Sequence, residues 1–234
     1  SRGASEAAMV QQGRMTRTLQ QELMRTRMVP LGSIAERLHR IVRQTAKELG
    51  KKANLEFSGT QVELDRSVLE KMTAPFEHLL RNAIAHGLEG KAERVAAGKP
   101  ENGEITLRAR QEGNEIVLSV ADDGAGIDLS RVRAKALALG LFEDATPLSE
   151  TQLLELIFQS GFSTAQEVTQ IAGRGVGMDV VRNEISALGG RIEIATEAGR
   201  GTTFTIYLPL TLAVTQAVLI KAGEKTYALP SAMV

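Results

Sequence analysis

Residues 172 to 188, A-G-R-G-V-G-M-D-V-V-R-N-E-I-S-A-L, place three glycines in five positions (Gly173, Gly175, Gly177) directly before an amphipathic helical run. Glycine lets a backbone approach a ligand closely, and the helix behind turns its N-terminus toward whatever is approached. Bare N–H groups and the positive end of the helix dipole favour an anion there, most often a polyphosphate. The pattern G-x-G-x-G lacks the last glycine of a dinucleotide fingerprint and the Lys-Ser/Thr of a P-loop, so neither of those folds is favoured. Taken alone the stretch reads equally well as a tight turn before a helix, and other motifs decide.

The rest of the chain alternates helical and strand patterns. Residues 1 to about 12 are small and polar and read as disordered. Met15, Leu19 and Leu23 then recur at helical spacing up to Pro30, as at the end of a longer helix that packs on a partner. Ser33 and Glu36 have capping-box spacing ahead of Ile34, Leu38, Ile41, Val42 and Leu49, which predicts a core-facing helix ending at Gly50. A short strand is expected over 54–57, and Asp65 caps a helix running to about Leu88. Opposite that helix's apolar stripe, His78, Asn82 and His86 fall within roughly 80° of one another at about 100° per residue. Glu89 to Glu101 is charged and reads as a surface loop or short helix.

A hairpin is expected from Ile105, Leu107, Ala109 and Ile116, Leu118, Val120 around Gly113, and its second strand runs into A-D-D-G-A-G-I. Asp122 with Gly124 and Gly126 is then an exposed carboxylate in a backbone tight enough for a flat ligand to lie on. A helix over 130–139 carries Arg131 and Lys135, and another follows over 149–158. The stretch from Gln159 to Gly173, small and polar, has the make-up of a mobile flap. Strands over 191–196 and 202–208 flank G-R-G-T, and two strand-like runs from Ala217 and Lys225 begin something further.

Composition removes several function classes. With 28 basic and 28 acidic residues the chain has no net charge, against a dedicated nucleic-acid surface. It has no cysteine, which excludes disulfides, thiolate metal sites and a Cys nucleophile. The longest uncharged apolar run, Leu208 to Ile220, contains Pro209 and falls short of the about 20 residues that span a bilayer. No signal-peptide pattern opens the chain, and a cytoplasmic location is the expectation.

The order of ligand-type residues, Asn82, Asp122, a Gly-rich flap and then Gly-Thr, resembles the Bergerat ATP-binding fold of histidine kinases, gyrase, Hsp90 and MutL: an α+β, two-layer α/β sandwich. More specifically, H-L-L-R-N-A-I-A-H-G (78–87), D-D-G-A-G-I-D (122–128), G-F-S-T (161–164), G-R-G-V-G-M-D-V-V (173–181) and L-P-L-T-L-A (208–213) resemble the catalytic core of the CheA-type chemotaxis histidine kinases. The resemblance runs from about Leu19 to the C-terminus. R-M-V-P (27–30) matches the junction after that family's dimerisation helices, and the last residues match the start of its SH3-like, CheW-like coupling domain. The implied organisation is 1–29 as the end of a dimerisation helix, 30–212 as the catalytic domain and 213–234 as a truncated regulatory domain.

The resemblance implies ATP and Mg²⁺ as cofactors. Asp122 accepts from the adenine amine, Gly124 and Gly126 let the base lie close, and Thr202 completes the polar end. Asn82 ligates Mg²⁺, and His78, where many relatives carry glutamate, acts as a base or positions the incoming group. His86, Arg131, Lys135 and Arg174 neutralise phosphate charge. Ser163, Thr164, Gly173, Gly175, Val176 and Gly177 belong to the phosphate-side flap and loop. Phosphoryl transfer asks mainly for such positioning and electrostatics.

Two positions depart from the family pattern, Ala85 where aspartate is usual and Ser160 where proline precedes G-F-S-T. The first removes a charge beside the site, and the second alters the flap's hinge. His39, in L-H-R-I, fits neither phosphoacceptor pattern, so the implied acceptor is a histidine phosphotransfer domain in cis or in trans. A CheW-like coupling protein with a receptor array, a downstream response regulator and a homodimer of the full-length protein are the other implied partners, with no nucleic acid and no membrane insertion. A nucleotide-binding scaffold without transfer, and an ATPase of the gyrase or Hsp90 kind, remain open alternatives.

Overall fold

The computed structural model describes residues 2–163, 177–210, 217–222 and 225–230. Helix α1, Arg2–Arg27, opens the chain. The expected disorder of residues 1 to 12 is thereby corrected: Ala, Gln, Glu, Met and Arg are strong helix formers, and their propensities outweigh the small polar residues between them. Strand β1 (Met28–Pro30) follows, then a 3₁₀ turn, Leu31–Ile34, and α2, Ala35–Glu48.

The expected capping box is absent. Ser33 lies within the 3₁₀ turn and makes no capping bond to α2. Residues 31 and 32 are instead held from outside, with the amides of Leu31 and Gly32 donating to the carbonyls of Val62 and Thr60 at 2.8 and 2.9 Å. Those bonds fix the chain just after β1, so the helix begins only at Ala35.

Strands β2 (Ala53–Ser58) and β3 (Glu63–Asp65) lead into α3, Arg66–Asn82. As expected, Asp65 caps α3, its Oδ1 accepting from the Ser67 amide at 2.8 Å. After the short α4 (Lys91–Ala96) come β4 (Gly103–Glu112), β5 (Glu115–Asp122), α5 (Leu129–Ala138) and α6 (Glu150–Leu156). Helix α7 (Met178–Ala187), β6 (Arg191–Glu197) and β7 (Gly201–Pro209) complete the domain. A separate antiparallel hairpin, β8 (Ala217–Ala222) and β9 (Lys225–Pro230), matches the two strand-like runs read at the end of the chain.

The main sheet has the order β2-β4-β5-β7-β6, with β2 parallel to β4 and every other pair antiparallel. Along β4 the buried residues Ile105, Leu107 and Ala109 alternate with exposed Glu104, Arg108 and Arg110, the period of a strand with one covered face. That face meets Leu38 and Val42 of α2, Leu69, Met72, Phe76 and Leu80 of α3, and Met178, Val181 and Ile185 of α7. The result is the two-layer α+β arrangement expected from the sequence. Phe76 is fully enclosed, and truncating such a residue to alanine costs about 3–5 kcal/mol. A smaller cluster, Val132, Ala136, Leu153 and Phe162, joins α5 and α6 to the stretch that leads toward residue 164.

Candidate functional site

The site is organised around an irregularity. Where the sequence predicts one helix to Leu88, α3 stops at Asn82 and Ala83–Gly87 form a π-helical turn, closed by the Leu88 amide donating to the Ala83 carbonyl at 2.7 Å. Such i→i+5 turns are rare and concentrate at functional sites. Lys51, in the loop after α2, is aimed at this turn. Its Nζ donates to the carbonyls of Ile84 (2.7 Å), Ala85 (3.1 Å) and Leu88 (2.7 Å).

On its other side the turn packs directly on the D-D-G loop. The Ala125 amide donates to the Gly87 carbonyl at 3.0 Å. A Cβ on Gly87 would stand 2.7 Å from Oδ2 of Asp122, and one on Gly124 would collide with the Gly87 carbonyl. Gly201, at φ +116°, likewise leaves no room between itself and the Asp122 carbonyl. The three glycines therefore allow three backbone segments to converge on one carboxylate.

Asp122 Oδ1 accepts from the Gly124 amide at 2.9 Å. Burial nevertheless pushes its carboxyl above the usual carboxylate range, helped by the nearby charges of Asp123 and Glu89 and opposed by the amides of Gly124 and Thr202. A half-buried carboxylate with such an environment, at the end of a strand, is a candidate for ligand recognition. Next to it, Gly126 at φ +79° passes close to the Glu197 carbonyl and the Thr196 hydroxyl. Thr196 Oγ1 accepts from the Ile127 amide at 2.8 Å and lies 3.1 Å from Oγ1 of the buried Thr202.

Asn82 points elsewhere, toward the glycine-led helix. Its Nδ2 donates to Met178 Sδ, the first residue of α7, at 3.3 Å. The bond turns the Asn82 amide nitrogen toward the start of α7. Gly177 is the N-cap of α7, and Ser163 lies beside it, with Cβ and Oγ both 3.5 Å from where a Gly177 Cβ would be. His78 sits one turn before Asn82, and burial, then the charges of Arg81 and His86, hold its imidazole below the ordinary value. The neutral ring is thus the form present near pH 7, as a proton acceptor requires. His86 is exposed, close enough for its charge to act on His78.

The remaining expected residues divide into two groups. Lys135 places its ammonium over the Phe162 ring, 4.8 Å from the centroid, while Arg131 is exposed and its amide donates to the α5 cap Asp128. Thr164, Gly173, Arg174, Gly175 and Val176 lie outside the described residues, as does the flap expected over 159–173 beyond Ser163. Its first residues are better anchored than their composition suggests: Phe162 is buried against α5 and α6.

Sequence reasoning passed over Lys51, Thr196, Met178 and a whole ionic clasp. The segment 89–101, expected at the surface, buries Arg94 completely. Its guanidinium reaches Glu89 (3.1 Å), the Asp123 carboxylate (3.0 Å) and the Pro100 carbonyl (2.7 Å). Lys99 adds bonds to Glu89 (2.7 Å) and to the carbonyls of Asp123 and Gly124 (2.9 and 2.8 Å). A charged run normally marks a solvated face, so nothing in the local pattern distinguishes these residues.

Residues 71–212 match the family described as histidine kinase-, DNA gyrase B-, and HSP90-like ATPase. Over 95% of its length the chain is 43% identical to the chemotaxis protein CheA of Treponema pallidum, covering 27% of that protein. It is also 43% identical over 93% of its length to the chemotaxis protein CheA of Bacillus subtilis, covering 33%. The chain thus spans about a quarter to a third of the length of these curated relatives. Among solved structures, the histidine kinase domain of the Erythrobacter litoralis EL346 blue-light activated histidine kinase aligns with a TM-score of 0.46 and 18% identity, over 78% of this chain and 66% of that one.

Proposed function

This chain belongs to the histidine kinase-, DNA gyrase B- and HSP90-like ATPases, and we propose that it is the ATP-binding catalytic core of a CheA-type chemotaxis kinase. In this reading it moves the γ-phosphoryl of ATP to a histidine on a separate phosphotransfer domain. The observation that carries it is the two-ended π turn: Asn82 at one end faces the glycine-led helix, and Gly87 at the other packs on Asp122.

Asp122 accepts from the adenine amine, with Gly124 and Gly126 giving the flat base access and Thr202, tied to Thr196, closing the polar end. The N-terminus of α7, with Gly173, Arg174, Gly175, Val176 and Gly177 ahead of it, takes the phosphates. Ser163, Thr164, His86, Arg131 and Lys135 would serve the phosphate side. Asn82 would hold Mg²⁺ through its amide oxygen, and the ion supplies positive charge against the phosphate oxygens. His78, kept neutral, accepts a proton from or orients the incoming imidazole. Ala85 stands in the π turn with its carbonyl on Lys51, so the missing aspartate changes the charge beside the site and leaves the turn intact.

The whole-protein partners follow from the same reading: a phosphotransfer domain in cis or in trans, a CheW-like coupling protein and receptor array met through residues 213–234, a response regulator downstream, and a dimer made through helices continuous with α1. Among the described residues no helix is long and apolar enough to cross a membrane, which fits the proposed cytoplasmic location. The test is γ-labelled ATP with the purified chain, alone and with an added phosphotransfer domain. Acid-labile, base-stable label on the added domain is expected. Strong label on this chain alone, or nucleotide binding with no transfer to any acceptor domain, would overturn the reading.

A further inference from the structure

The π turn gives the nucleotide site a defined spacing, and one side chain holds the turn in place. A π turn is an α-helix with one extra residue, and it competes with ordinary α-helical continuation. Relaxing to that alternative rotates the residues that follow by about 100° relative to those before. Asn82 would stay, since it belongs to α3 and rests on Met178. Gly87 would leave Asp122, and its carbonyl would leave the Ala125 amide. Carbonyls released by a helix end need donors, and Lys51 supplies three bonds to Ile84, Ala85 and Leu88 from one ammonium.

We propose that Lys51 is a positioning residue for nucleotide binding, acting through the π turn to keep Gly87 against the adenine-binding loop while Asn82 faces the phosphates. This rests on the nucleotide reading of the site given above. Burial holds the Lys51 ammonium below the ordinary lysine range, opposed by the charges of Glu93 and Glu89, and Glu89 also belongs to the clasp that grips the Asp123 and Gly124 carbonyls. Lys51 thus bonds the turn, the turn bonds the D-D-G loop, and the loop is gripped in turn by the clasp. The ammonium is suited to the place because its three N–H groups radiate from one nitrogen toward three separate carbonyls, whereas a guanidinium presents a planar fork.

The expected effect is selective. Lys51→Met and Lys51→Arg are expected to weaken ADP binding in excess chelator about tenfold, because the adenine end loses its backing. The further gain in affinity of a non-hydrolysable ATP analogue on adding Mg²⁺ is expected to stay within about twofold of the unaltered chain, because Asn82 does not move. Both variants are measured by calorimetry after far-UV circular dichroism has confirmed folding, and Lys51→Arg keeps the charge should Lys51→Met fail to fold. A purely structural role would lower the melting temperature and leave the ADP affinity of the folded protein unchanged; ADP affinity within twofold of the unaltered chain in either folded variant overturns the proposal. If the unaltered chain binds no ADP, the nucleotide reading itself fails and this inference falls with it.

Discussion

The guanidinium of Arg94, fully enclosed, stands 3.0 Å from the carboxylate of Asp123, the residue next to Asp122. A charge with no solvent contact is tolerable only when it is paired and fully hydrogen-bonded, and removing one partner of a buried pair costs about 3–5 kcal/mol. Arg94→Ala would leave Glu89, itself only 9% exposed, with Lys99 as the cation of the clasp and without its second ion pair. It is therefore expected to destabilise the domain by about that amount, measured as a lower urea midpoint at unchanged slope. A loss below about 1 kcal/mol would mean that the clasp relaxes and admits water.

Asp122 carries a conflict between stability and recognition. Its folded pKa is raised chiefly by burial, so between the ordinary and the raised value the folded chain binds more protons than the unfolded one. The stability tied to protonation is fully present below the ordinary value of 3.8 and is lost as pH rises through the raised value. At neutral pH the domain bears the whole cost of a half-buried carboxylate. Asp122→Asn is expected to raise the melting temperature of the nucleotide-free protein at pH 7 and to lose that advantage in acid. The same change should weaken ADP binding roughly ten- to a hundredfold, the worth of a charged hydrogen bond. Calorimetry showing unchanged ADP affinity would remove Asp122 from the adenine end.

His78 titrates in the opposite sense. Its folded pKa lies below the ordinary 6.5 because of burial and the charges of Arg81 and His86. As pH falls through 6.5 the unfolded chain takes the proton first, so stability drops from that point and levels off only below the lowered folded value. His78→Gln is expected to flatten this acid loss in a melting-temperature series from pH 7.5 to 5. In phosphotransfer the variant should keep most of its nucleotide affinity and lose turnover, whereas Asn82→Ala should lose the affinity gained with Mg²⁺. Parallel losses of both properties in both variants would show that the two roles are wrongly divided.

Much of the architecture was legible because one-sided burial writes itself into spacing. Leu38 and Val42 mark the covered face of α2, and Ile105, Leu107 and Ala109 that of β4. Gly124 and Gly126 beside Asp122 were legible as well, since an Asp-Gly turn at a strand end is a local signal, whereas the approach of Gly87 and Gly201 from distant segments was not. The π turn was not, because an i→i+5 closure leaves no periodicity of its own and its side-chain partner, Lys51, lies some 33 to 37 positions away. Arg94 and Lys99 were missed for a related reason: what buries them is the D-D-G loop, distant in sequence, and a charged run names no partner. Ser33 and Glu36 mislead in the opposite direction, offering a local cap that the pairing of residues 31 and 32 with 62 and 60 overrides.

Gly201 offers the sharpest test of whether the convergence on Asp122 matters. Its φ of +116° is a conformation that side-chain-bearing residues rarely adopt. A Cβ there would run into the Asp122 carbonyl carbon at 2.7 Å and reach Oδ1 at 3.1 Å. Backbone cannot step aside as a flexible side chain can, so Gly201→Ala must move either β7 or the D-D-G loop. Gly201 opens β7 opposite Glu197 of β6, and Asp122 closes β5 opposite Ile105 of β4, so the collision drives apart two strand ends, one of which carries the carboxylate. Gly199, in the same connection, has open space beside it, and Gly199→Ala provides the control: strained at φ +76° but without collision. Both variants are expected to lose about 1–3 kcal/mol of stability from backbone strain. Only Gly201→Ala is expected to lose ADP affinity as well, by tenfold or more, because only there does the strain displace the carboxylate. Equal ADP affinities in the two folded variants would show that Asp122 keeps its place without the close approach of Gly201.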